Sequence, residues 1–294
     1  MDKDVLHVVR FETGIEHEEA LAEMGASLEL NLVSRRTPES DRLLAEVFAE
    51  SAAAAEAAAQ LLAAELPAWL GPAAPAVLAR ATLKREDWAE SWKRFFHVQR
   101  ITARLVVKPS WELFSPAPGD VVLELDPGMS FGTGYHGTTR ACLEFLDDLS
   151  RRAPGASMLD VGCGSGILAL AAWKLGFRPV AAYDFDPQAV LVAKENLERN
   201  GVVEVVPFQG DLTEFVPETP YRIVAANILA PVLLQHAERI AACVAAGPEP
   251  GCLIVSGILD AQYPDVRARF EALGFREGAN RALDGWTSGW LSRA

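Results

Sequence analysis

Three glycines spaced GxGxG, Gly162, Gly164 and Gly166, follow Met158-Leu159-Asp160-Val161 and precede an apolar stretch over 167–175. That order predicts a buried strand, a tight turn and a helix, with a ligand approaching the backbone at the helix N-terminus. The spacing departs from the dinucleotide fingerprint GxGxxG, whose third glycine would fall at Ile167. Asp160, just ahead of the loop, would repel a pyrophosphate and attract an ammonium or a sulfonium. Charge therefore favours S-adenosylmethionine (SAM) over a nicotinamide dinucleotide. Asp184 comes 22 residues after Gly162, at the end of a strand expected over 179–183, where a carboxylate accepts hydrogen bonds from ribose hydroxyls. Both nucleotide readings use that acid.

Methyl transfer from a sulfonium is an in-line displacement, which asks for an unprotonated nucleophile held opposite the methyl group and demands no acid or metal. Asn227-Ile228-Leu229 follows a strand expected over 221–226. It offers the Asn227 amide oxygen and the Ile228 carbonyl as acceptors for a neutral amine, and looks like the Asn-Pro-Pro-Tyr loop of amine methyltransferases. A lysine, with a free pKa of about 10.4, needs desolvation to shed its proton. Asp211, after a strand expected over 203–208, joins Gly162, Asp184 and Asn227 at the sheet's carboxyl edge. His136 lies close in sequence, but a free pKa of about 6.5 suits loop packing better than removing a lysine proton. His7, His17, His97 and His236 show no ligand spacing, and Cys142, Cys163, Cys243 and Cys252 form no CxxC pair, so neither metal site nor disulfide framework is expected.

Upstream, Asp126-Pro127-Gly128-Met129-Ser130-Phe131-Gly132-Thr133-Gly134-Tyr135-His136-Gly137-Thr138-Thr139 is dense in glycine and hydroxyls. It runs into a helical pattern over 140–149, with Cys142, Leu143, Phe145, Leu146 and Leu149 on one face and Thr138 and Thr139 as expected caps. This block resembles the pre-loop signature of the ribosomal protein L11 methyltransferases, class I SAM-dependent protein methyltransferases. Gly162 to Gly166, Asp184 and Asn227-Ile228-Leu229 resemble the family's later motifs in the same order. The resemblance runs over residues 86–294, including a weaker pattern at Trp88, Trp92, Phe95 and Lys108-Pro109-Ser110-Trp111. It implies SAM contacts at Thr139, Gly162, Asp184 and Asn227, with Phe131, Gly132 and Thr133 in a loop near the cofactor. Tyr135 stands where the family usually has Thr or His, and Gly137 where it has Pro or Glu. The implied activity is N-methylation of protein amines, on lysine side chains or an N-terminus, with ribosomal protein L11 as the implied substrate. Other readings are another protein lysine, a small-molecule amine, a SAM-binding regulator without catalysis, or an NAD(P)-dependent oxidoreductase, which Ile167 and Asp160 disfavour.

To position these residues the chain has 294 residues, of which 50% are hydrophobic, enough for two domains. We expect an α+β substrate-recognition domain over 1–85, a linker and connecting helix over 86–120, and a SAM-dependent domain over 121–294. In the first domain, strands over 5–11 and 28–33 flank a helix over 17–24. A long Ala-rich helix, read as a packing element, starts after Pro38-Glu39-Ser40; it breaks at 66–75 before a strand over 77–83, and a helix follows over 87–96. From Ser157 the pattern is α/β, a doubly wound seven-stranded sheet. Its remaining parts are a helix over 187–199 stopped by Asn200-Gly201, a strand over 251–258, a helix over 263–273, and a closing hairpin over 275–283 and 286–291. A net charge of −13 argues against direct nucleic-acid binding and would steer a basic protein toward the enzyme. No stretch suits a membrane span or signal peptide, so a cytoplasmic location is expected. The first domain is expected to present substrate, pivoting at 66–75 or 108–118.

Overall fold

The computed structural model describes residues 5–28, 30–36, 42–71, 74, 79–84, 96–126, 136–247, 249 and 251–293. The chain divides into two compact units, Met1–Phe95 and Phe96–Ala294.

In the first unit, β1 (Val5–Gly14), α1 (Glu18–Ser27), β2 (Leu32–Arg36), β3 (Arg42–Ala49), α2 (Ala52–Leu70) and β4 (Ala79–Lys84) form an antiparallel sheet in the order β2-β3-β1-β4 with two helices. The sequence reading starts the Ala-rich helix after Ser40, but residues 42–49 are a strand. Leu43, Ala45 and Val47 alternate into the core while β3 pairs with both β1 and β2. The helix begins at Ser51, whose hydroxyl accepts from the Ala54 N–H at 3.1 Å. Its packing role holds: Ala55, Ala58, Ala59, Leu62, Leu66 and Leu70 are buried against Val9, Phe11, Leu21 and Met24. Pro67 does not break it as expected. The ring removes only the bond to the carbonyl of exposed Ala63, and the Gly71 N–H still closes the last turn on Pro67 O.

The second unit begins with β5 (Gln99–Arg100), β6 (Leu105–Lys108) and β7 (Val121–Glu124), a three-stranded sheet. There follow α3 (Gly137–Arg152), β8 (Met158–Val161), α4 (Ile167–Lys174), β9 (Val180–Asp184), α5 (Pro187–Arg199), β10 (Phe208–Gln209) and β11 (Ile223–Asn227). The chain closes with α6 (Ala230–Gln235), α7 (Ala237–Ala242), β12 (Cys252–Leu259), α8 (Tyr263–Glu271), β13 (Phe275–Leu283) and β14 (Trp286–Arg293). The seven-stranded sheet has the order β10-β9-β8-β11-β12-β14-β13, parallel from β10 to β12 and then turned by antiparallel β14.

Side chains alternate through this sheet as a period of two requires. Met158, Ile223, Ala225 and Ile254 face a core with Phe145, Leu146 and Leu170, while Leu159, Val224, Leu253 and Val255 face Leu233, Ile240, Val266 and Phe270. The doubly wound sheet is as the sequence implies. Its outer strand β10 is only two residues long, because Val203 and Val206 of the expected strand 203–208 are exposed at the sheet edge. Residues 96–120, read as connection, carry β5 and β6, and Ile101, Leu105 and Val107 enter the same core as Phe145. The helix expected over 87–96, with Trp88, Trp92 and Phe95, falls outside the described residues apart from Phe96. Among the described residues, no helix is long and apolar enough to cross a membrane.

This placement predicts where the chain can be cut. A chain starting at Phe96 keeps β6 beside β7 and should unfold at the same denaturant concentration as the second unit does in the full chain. A start at Ser110 deletes Ile101, Leu105 and Val107, each worth about 1.5–3 kcal/mol of burial, and should shift the midpoint to markedly lower denaturant. Equal midpoints would contradict the assignment of β6 to this core.

Candidate active site

The glycine loop leaves β8 with left-handed backbone at Gly162, Gly164 and Gly166, at φ of 68°, 52° and 77°. A Cβ on Gly162 would come within 2.7 Å of Ile228 Cγ2, and one on Gly166 within 2.9 Å of Ala193 Cβ. The first glycine thus lets the loop meet the segment after β11, and the third lets it pack on α5. The Asn196 amide donates to Ser165 O at 2.9 Å and fixes the loop from the same helix. Asp184, 8% exposed, binds the loop on its other side: Oδ2 accepts from the Gly164 N–H at 2.8 Å and Oδ1 from the Asp186 N–H at 3.1 Å. Each oxygen retains a lone pair for a further donor.

Asp160 lies at the end of β8, 1% exposed, with Oδ2 accepting from the Ala169 N–H in the first turn of α4 at 3.0 Å. Burial pushes its carboxyl up to about 7; the Ala169 N–H opposes that rise and the nearby Asp184 adds to it. The negative charge expected of Asp160 is therefore only partly developed near neutrality, and a cation beside it would complete the ionisation. Asp160, Gly162, Gly164, Asp184, Asn227 and Ile228 border one cavity of about 220 Å³. Phe185 borders it too, at 75% exposure, and sequence reasoning missed it. The available signal was a large apolar residue directly after Asp184, at a strand end.

Asn227 closes the other side. Its Nδ2 donates to Thr139 Oγ1 at 3.5 Å, whereas its Oδ1 is buried and has no hydrogen-bond partner among the described residues. The Ile228 N–H donates to Ser256 O at 3.1 Å, and a Cβ on Gly257 (φ 79°) would lie 2.6 Å from Ile228 O. The Ser256 hydroxyl donates to Thr138 O at 3.2 Å and lies 2.7 Å from Ser288 Oγ. Two buried serines thus tie the Asn227 segment to the start of α3. Sequence reasoning missed both; the one signal was a hydroxyl inside the apolar run of β12.

The remaining expected residues are distributed differently. Thr138 and Thr139 are not caps but buried members of the first turn, and His136 caps α3 by accepting from the Thr138 N–H at 3.4 Å. Its ring sits edge-on to Trp286 at 5.3 Å, and burial lowers its pKa against the opposing pull of Asp284, as the loop-packing reading expects. Gly137 is explained by Leu283, whose Cδ2 would be 3.2 Å from a Cβ there. Asp211 follows β10 one strand beyond Asp184, exposed and outside the cavity lining, with Oδ1 accepting from the Thr213 N–H at 2.7 Å. That backbone bond holds its carboxyl below the usual range. Phe131, Gly132, Thr133 and Tyr135 lie outside the described residues. No group of His, Cys, Asp and Glu suited to a metal occurs among the described residues.

A glycine loop with a carboxylate on either side, at the carboxyl edge of a sheet in this strand order, is the arrangement of the class I methyltransferases, and the chain is a SAM-dependent enzyme of that class. The model of the family described as ribosomal protein L11 methyltransferase (PrmA) matches residues 11–293. It therefore reaches back through the first unit, well before residue 86, where the sequence reading begins the resemblance. A ribosomal protein L11 methyltransferase of Chloroflexus aurantiacus is 43% identical over 231 residues, covering 70% of this chain and 69% of that one. One of Geobacter metallireducens is 50% identical over 191 residues, covering 64% and 60%. The crystal structure of a ribosomal protein L11 methylase from Lactobacillus delbrueckii subsp. bulgaricus superimposes with a TM-score of 0.61 at 29% identity, covering 67% of this chain and 99% of that one. The chain belongs to the ribosomal protein L11 methyltransferase family.

A cofactor cation seated beside Asp160 would have a pH-dependent affinity. The folded Asp160 pKa of about 7 lies above the unfolded value, which is about 3.9. Folding of the unliganded chain therefore binds a proton between these values, and stability falls as pH rises through that window. SAM, a cation at this site, should bind progressively more weakly as pH drops below about 7, with proton release on binding. Asp160→Asn should flatten both the affinity profile and the stability profile. A calorimetric series from acid to alkaline pH checks this, and an unchanged slope in the variant would contradict it.

Proposed function

We propose that this enzyme N-methylates amines of a protein, and that the protein is ribosomal protein L11, for which its relatives are named. The observation that carries the reading is the buried Asn227 Oδ1, unpartnered among the described residues, beside the acid-flanked glycine loop. An orphaned buried acceptor costs about 1–3 kcal/mol unless a ligand satisfies it, so the site fits a nitrogen donor.

The residues present also fit the cofactor. Asp184 would take the ribose hydroxyls on its remaining lone pairs, Asp160 would face the cationic end, and Phe185 offers an apolar surface to the base. When bound, SAM supplies an electrophilic methyl group on a sulfonium. Asn227 Oδ1 and the Ile228 carbonyl accept the N–H groups of a neutral amine and so aim its lone pair. His136, with its pKa lowered and its ring used as a cap, is not poised to remove a lysine proton. The proton leaves to solvent as the amine is desolvated. The first unit, none of whose described residues borders the cavity, is read as the element that presents the substrate. With a net charge of −13 the enzyme would attract a basic protein and needs no direct contact with nucleic acid. Action on a ribosomal protein would be consistent with a cytoplasmic location.

Purified enzyme, labelled SAM and purified ribosomal protein L11 should give labelled L11. Labelling of small amines with none of L11 would overturn the substrate assignment. Asp184→Ala should weaken SAM by about 1–3 kcal/mol. Asn227→Ala should cut turnover on the order of 100-fold while changing SAM affinity far less, because alignment is lost. Equal losses in turnover and affinity would leave Asn227 a cofactor ligand alone.

A further inference from the structure

The strands that hold the cofactor site at their carboxyl ends gather cations at their amino ends. Ser157 precedes β8, Arg178 lies just ahead of β9 and Arg222 immediately precedes β11. The sheet order β9-β8-β11 sets these three positions side by side. Arg152, the last residue of α3, completes a cavity of about 570 Å³ whose only carboxylate among the described lining residues is Glu249. Three guanidinium groups and one carboxylate leave a local excess of two positive charges in a chain of net charge −13.

Much of that donor capacity is unspent. Arg222 pairs with Glu249 through Nη1, while its Nε is buried and has no hydrogen-bond partner among the described residues. Arg178 spends Nη1 on the carbonyls of Trp173 and Phe177 and lies 4.2 Å above the Trp173 ring, which fixes its plane. Arg152 rests over Trp290 at 5.6 Å and pairs with no carboxylate among the described residues. Ser157 Oγ accepts from the Arg222 N–H at 3.0 Å and keeps its own proton to donate. Cys252 feels both Arg222 and Arg152, each lowering its pKa against the larger effect of burial, so the two cations converge on one place.

We propose that this cavity is a second ligand site, separate from the methyl-transfer centre, and that it binds a compact phosphate-bearing anion. Guanidinium forks match phosphate oxygens two at a time, and a pair of excess charges suits a multiply charged anion better than a single carboxylate. The ligand is compact because a long nucleic acid leaving the cavity would meet the field of an acidic protein. A free di- or triphosphate and the phosphate end of a nucleotide present the same chemistry here.

The test uses the full chain and two probes, inorganic pyrophosphate and ADP, titrated by calorimetry at low and high salt. At least one should bind, more weakly at high salt. Equal affinities assign the site to the phosphates alone, and tighter ADP binding assigns it to a nucleotide. Arg152→Ala should weaken that probe on the order of tenfold while SAM affinity is unchanged. Glu249→Gln should tighten it, a gain that damage to the fold would not produce. Failure of both probes to bind at millimolar concentration, binding indifferent to both substitutions, or tighter binding of an RNA oligonucleotide through the same arginines would overturn the proposal.

Discussion

The Asp184 carboxylate is divided between two backbone N–H groups, those of Gly164 and Asp186, and this is the constraint on which the proposed cofactor site rests. A carboxylate that accepts two such bonds fixes the end of β9 against the loop that leaves β8, so the two strand ends become one rigid surface. The rest of the loop follows from that attachment. Gly162 and Cys163 both donate to Tyr183 O, Gly166 closes on Ala193, and Asn196 holds Ser165. Because the loop is tied down from two sides, Phe185 can stand exposed at its mouth without the loop folding over it.

Of the polar side chains that border the cavity, Asp160 and Asn227 are each left short of a partner among the described residues, and their needs have opposite character. Asp160 is buried with one N–H partner, so its charge is costly until a cation arrives. Asn227 keeps a buried acceptor that has no donor among the described residues until an N–H arrives. A native structure rarely retains such groups without a use for them. Both lie on the border of one cavity, and together they describe a ligand pair with positive charge on one side and N–H on the other. Ser256, through the Ile228 N–H and the Thr138 carbonyl, keeps the Asn227 side from collapsing to satisfy itself.

The parts of this site legible in the sequence are those where chemistry narrows the choice of residue. Left-handed backbone calls for glycine, a ribose contact calls for an acid at a strand end, and both periodicities of the sheet were visible from Ser157 onward. The illegible parts are those where residue type is ambiguous. Residues 42–49 read Arg-Leu-Leu-Ala-Glu-Val-Phe-Ala, which suits a helix as well as a strand; Glu46, buried in β3 and paired with Arg10 at 2.6 Å, becomes sensible only once β1 is alongside. β6 is four residues long and ends at Lys108-Pro109-Ser110, so it reads as loop, and its partner β7 starts 13 residues after β6 ends. The helix α6, which begins Ala-Pro, is an element for which the sequence reading offers no expectation. His136 was passed over as a cap because imidazole is outside the usual set of capping side chains. Asp211 was placed at the correct sheet edge, but the order of strands sets it one strand beyond Asp184.

Carboxylates on either side of the glycine turn would select a cationic nucleoside over an anionic dinucleotide. Calorimetric titration of the purified chain with SAM and, separately, with NAD tests this selection most directly. SAM should give saturable heat and NAD none under the same conditions. Saturable NAD binding with no SAM heat would contradict it.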